Sequence, residues 1–153
     1  KHKTIRAKDV TPIRLERTSS PTSSLLKGTQ QKDGFNEPTD TVVWSAIVEK
    51  GINTYDTLLW NIFPFHPHKD GNPLTNRTPT DREQQVGWEY TKRLLDLHIE
   101  LGGVDPLVLA VGQKSADTMG KFGLSAIGLR HPANGGANLY RQGFSDAVDT
   151  YLK

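Results

Sequence analysis

With 153 residues, a formal charge of +2 and 35% hydrophobic content, the chain suits one domain, residues 1–153, around a single core. Cysteine is absent, which excludes disulfides, cysteine-ligated zinc and any cysteine-held iron–sulfur cluster. No apolar run approaches the ~18 residues of a membrane span and no stretch reads as a signal peptide, so a cytoplasmic protein away from membranes is expected.

Residues 1–36 are polar and irregular, rich in Ser, Thr, Lys and Gln. Within them, Lys1, Lys3, Arg6, Lys8, Arg14 and Arg17 outnumber Asp9 and Glu16. That basic patch suits either a nucleic acid or plain solvation. From Thr39 the pattern changes. Val43, Trp44, Ile47 and Val48 recur at helical spacing, which predicts a helix over Thr39–Lys50 with Gly51 as its C-cap. Tyr55–Trp60 reads as a buried strand.

Pro64, Pro67 and Pro73 then forbid regular structure and open a long polar-aromatic loop. Thr80 and Glu83 have capping-box spacing. They start a long helix whose stripe Val86, Tyr90, Leu94, Leu97 and Leu101 is expected to face the core, ending at Gly102-Gly103. Pro106–Gly112 is a continuous apolar run, as in a parallel strand covered on both faces. A short helix over Ser115–Phe122 and a strand over Ala126–Leu129 follow. The last helix, Leu139–Leu152, turns Phe144, Val148, Tyr151 and Leu152 inward. This alternation predicts a mostly parallel sheet with helices outside.

Two loops carry the residues with chemical reach. Asn61 ends the first strand and offers one donor and one acceptor, a pair that can read an amide-like edge such as a pyrimidine, or simply terminate a strand. Phe63 and Phe65 can stack on a planar ligand or fill the core. His66 and His68 have no carboxylate or third histidine placed to complete a metal site. Asn76 and Arg77 suit a phosphate; alternatively Arg77 pairs with Glu83 or Asp81. In the second loop, Pro132 fixes the backbone beside His131, and Asn134-Gly135-Gly136 exposes N–H groups just before a helix. Such a place favours developing negative charge. The other reading of His131 is an ordinary turn histidine.

Taken together, Trp60-Asn61 with Pro64-Phe65-His66-Pro67-His68, then Asn76-Arg77-Thr78-Pro79, then Arg130-His131-Pro132 with Gly135-Gly136, resemble the uracil-DNA glycosylase superfamily. The likeness is to its bacterial and phage branch and covers Glu37–Lys153. It implies a three-layer α/β/α fold around a central, mostly parallel four-stranded sheet. It implies a monomer that needs no cofactor and excises uracil or a related pyrimidine after flipping it out of DNA. By the resemblance, His131 donates to the base carbonyl as charge grows and Asn61 reads the base. Ala133 to Ala137 form the loop that enters the groove and fills the vacated stack, and Asn76, Arg77, Arg130, Pro132, Ala133, Asn134, Gly135, Gly136 and Arg141 are the candidates to meet the DNA.

The family's G-E-x-P-G segment, with the acid that positions water, is not found. Thr22 stands where its stacking Phe is expected. A relative that binds DNA without cleaving it is therefore the alternative. A metal-dependent hydrolase using His66 and His68 is a third. The family's strand order also implies a strand between Tyr55–Trp60 and Pro106–Gly112. Either Lys3–Val10 supplies it or a segment ahead of Lys1 does, and the charges in Lys3–Val10 favour the latter.

Overall fold

The computed structural model describes residues 38–152, except Leu74. The irregular segment 1–36, its basic patch, Thr22 and Lys3–Val10 lie outside the described residues.

Helix α1 spans Pro38–Glu49 and buries Val43, Ala46 and Ile47. Beyond it, the Ile52 N–H donates to the Ile47 carbonyl at 3.2 Å around Gly51, whose φ is +70°. This left-handed stop is the expected glycine cap. Helix α2 spans Asp81–Glu100. The Thr80 hydroxyl accepts from the Glu83 N–H and the Glu83 carboxylate accepts from the Thr80 N–H, so the capping box is formed. Strand β1 (Leu109–Val111), helix α3 (Gln113–Lys121), strand β2 (Ile127–Leu129) and helix α4 (Ala137–Tyr151) complete the order. β1 and β2 are parallel, with Leu109 opposite Ile127 and Val111 opposite Leu129. The result is a mixed α/β chain whose sheet, among the described residues, has two strands.

The chain divides into two compact units. One is built from residues up to Leu58 together with Pro132–Asp146, the other from Leu59–His131 with Ala147 onward. In the first, Tyr140 and Phe144 of α4 stack at 5.9 Å and are buried, as is Ile47. The Arg141 guanidinium bonds the Glu49 carboxylate at 2.8 Å and the Ser45 hydroxyl at 2.6 Å. Arg141, expected on DNA, thus ties α4 to α1. Burial pushes the Tyr140 hydroxyl up to about 12. In the second, α3 lies on the strands with the Ala116 methyl over Gly128, and Trp88 of α2 stacks on Phe122 at 5.1 Å.

Three expectations are corrected. Tyr55–Trp60 is not a strand of the described sheet. The Asn53 side chain accepts from the Tyr55 N–H and sets a single 3-10 turn over Thr54–Asp56, a local bond that competes with extended pairing. Leu58, Leu59 and Trp60 beyond it are exposed. The α2 stripe also faces outward: Val86 is 44% exposed and Leu101 79%. The buried face is Gln84, Gly87 and Thr91, at i, i+3 and i+7. Finally, Tyr151 and Leu152 are exposed; the Tyr151 hydroxyl donates to the Asp105 carbonyl at 2.7 Å. No helix of the described residues is long and apolar enough to cross a membrane.

Candidate functional site

The small polar face of α2 exists because a backbone lies on it. A Cβ on Gly87 would stand 2.1 Å from the Ile62 carbonyl oxygen and 3.0 Å from the Phe63 Cα. Only glycine permits that approach. One turn on, Thr91 accepts from the Trp60 indole N–H at 3.1 Å and donates to the Gly87 carbonyl at 3.1 Å. Gln84 donates to the Pro79 carbonyl and accepts from Thr118, so its buried amide is satisfied at both ends. Residues 60–63 are thereby pinned to α2 from both sides of Asn61. Asn61 itself is exposed. Among the described residues no hydrogen bond engages its amide, so both groups are open to solvent.

The following loop is held by its own bonds. The Arg77 N–H donates to the Pro67 carbonyl at 3.1 Å, and the Thr75 hydroxyl accepts from the Lys69 N–H at 3.0 Å. His66 Nε2 and His68 Nδ1 each lie within 3.0 Å of a carbonyl, those of Pro73 and His66. A carbonyl only accepts, so both nitrogens carry the proton and the rings are fixed. The rings stack at 5.7 Å. Among the described residues no cluster of three metal-binding side chains forms.

Arg77 takes the pairing role weighed against phosphate contact. Its two terminal nitrogens each reach a Glu83 oxygen at 2.7 Å, and its Nε donates to the His68 carbonyl at 2.8 Å. The guanidinium, and then the Thr80 N–H, hold the Glu83 carboxyl down to about 2, well below the usual range. Asn76 beside it is exposed.

His131 follows β2 and is half-buried. Gly112, at the end of β1, has φ +89° and donates its N–H to the Leu129 carbonyl at 2.8 Å. A Cβ there would stand 3.3 Å from the His131 Cβ. Gly112 is therefore needed both for its backbone angle and for the space the imidazole occupies. It also caps α3, so His131 lies at the positive end of that helix, a place that favours negative charge on a ligand. Arg130 is exposed.

In the other unit, the Gly136 N–H closes a turn onto the Ala133 carbonyl at 3.1 Å. Asn134 at φ 54° and Gly135 at 76° form its exposed tip, while Pro132 and Gly136 are buried.

Sequence reasoning missed Gly87, Thr91, Arg82 and Tyr90. A glycine inside a strong helix was the available signal for the first, since it marks close backbone approach. The aromatic trio Phe63, Phe65 and Tyr90 forms edge-to-face pairs, each at 5.3 Å. No family model, curated protein or solved structure matches the chain.

Proposed function

We propose that the chain is a DNA glycosylase that excises uracil or a related altered pyrimidine by base flipping and hydrolysis of the N-glycosidic bond. On this reading the fold closes into the four-stranded, three-layer sandwich of the family it resembles. The observation that carries the proposal is the pair of prepared positions in one compact unit. Asn61 is held on a backbone pinned to α2 with its amide unengaged, and His131 is seated against Gly112 at the start of α3. In the reaction the bond between C1′ and the base nitrogen breaks, its electron pair leaves with the base, and water adds to C1′. An N–H of His131 aimed at the base carbonyl stabilises the departing anion, a type of donor worth roughly 3 kcal/mol of barrier. Asn61 presents one donor and one acceptor to the base edge.

A second reading, binding without cleavage, draws on one observation. Glu83, a carboxylate close in sequence to the Asn61 loop, is locked by Arg77 and Thr80 and so is a poor base for activating water. Uracil-containing single-stranded DNA followed by alkaline cleavage at abasic sites tests both. Excision that falls at least ~100-fold in His131→Ala, with DNA affinity retained, is expected from a donor acting mainly in the transition state. Equal rates in mutant and wild type would remove His131 from the mechanism, and no abasic sites at all would leave the binding reading.

A further inference from the structure

Facing the first turns of α2 is an open groove of about 250 Å³ lined by Phe63, Phe65, Val86, Arg82 and Glu83. Phe65 is 51% exposed and meets Tyr90, 50% exposed, edge to face. Apolar side chains exposed singly are ordinary, but a contiguous aromatic cluster marks a surface that receives something. The charges around it have a definite sign. Glu83 is neutralised by Arg77, and Asp81 lies 3.6 Å from Lys121. Arg82 has no ion pair among the described residues, so of the two charged residues that line the groove it is the uncompensated one. A planar apolar face beside an uncompensated guanidinium matches a base and its phosphate.

We propose that this groove binds an unpaired base of single-stranded DNA, stacked on Phe65 with the Tyr90 ring standing at its edge, and with Arg82 on the adjoining phosphate. The inference rests on the reading that the chain handles DNA, and it adds a strand preference. A base within a duplex has both faces covered by its neighbours and offers nothing to stack on the groove.

The test is fluorescence anisotropy with an oligothymidylate containing no uracil, so that binding is read apart from excision. The wild type binds the single strand more tightly than a duplex of equal length. Phe65→Ala weakens single-strand binding roughly 5- to 150-fold, the range for losing one stacked base. Phe65→Trp keeps it, which separates lost stacking from lost folding. Arg82→Ala lowers the log–log salt slope by about 0.7, one phosphate contact on a single strand. The proposal is overturned by a wild type that ignores the single strand or binds the duplex equally well. It is equally overturned by Phe65→Ala and Arg82→Ala variants that bind like the wild type. Uracil excision with unchanged binding in those variants refutes the groove and leaves the glycosylase standing. Lost binding without any excision supports the groove and removes the glycosylase.

Discussion

Replacing Gly87 by alanine separates local propensity from tertiary packing by the sign of its effect. Propensity alone favours alanine inside a helix by about 1 kcal/mol. The added methyl, however, would stand 2.1 Å from the Ile62 carbonyl oxygen, a backbone atom with no rotamer to escape through. The segment must retreat by about 1 Å before the contact becomes an ordinary one. Overpacking of this kind costs about 1–3 kcal/mol, and weakening the bond between Trp60 and Thr91 adds about 1 kcal/mol. The balance is a net loss of about 1–3 kcal/mol. At about 2–4 °C per kcal/mol for a chain of this size, Tm falls by roughly 2–12 °C. Urea unfolding followed by circular dichroism measures the change. If excision is established, the same variant should lose roughly 100-fold in rate, because Asn61 shifts with the backbone. A variant as stable as the wild type or more so would refute the close approach of Ile62 to α2.

Two pH profiles test the charged and buried groups. Glu83 titrates lower when folded than when unfolded, so its contribution is fully present above about 4.5 and is lost as pH falls toward about 2. Arg77→Ala should flatten the fall in Tm across that acid window, and parallel profiles for mutant and wild type would count against the pair. Burial raises the Tyr140 hydroxyl from its ordinary 10.0 to about 12 in the folded chain, which therefore holds a proton that the unfolded chain releases in between. Stability should decline over that alkaline window, and Tyr140→Phe should lose that part of the decline. An unchanged alkaline transition in the mutant would show that the hydroxyl is not buried.

The helices were legible in the sequence because their signals are local. Thr80 and Glu83 are three residues apart and satisfy each other's backbone groups wherever the helix packs. Gly51 stops α1 through its own φ. The apolar runs that hold β1 and β2 were legible too, although only three residues of each join the ladder. Tertiary structure alone decided which face of α2 is inside. Val86, Tyr90, Leu97 and Leu101 have helical spacing, yet the chain from Trp60 to Phe63 lies on Gly87 and Thr91, where small side chains let a backbone approach. It also decided which cations remain open. Arg77 and Arg141 look like Arg82 in one dimension, but Glu83 and Glu49 stand within 2.8 Å of the first two. Caps and turns depend on neighbours a few residues away and are written in the chain. Burial and charge pairing depend on residues as far as 92 positions apart, as Glu49 and Arg141 are, and exist only once the chain has folded.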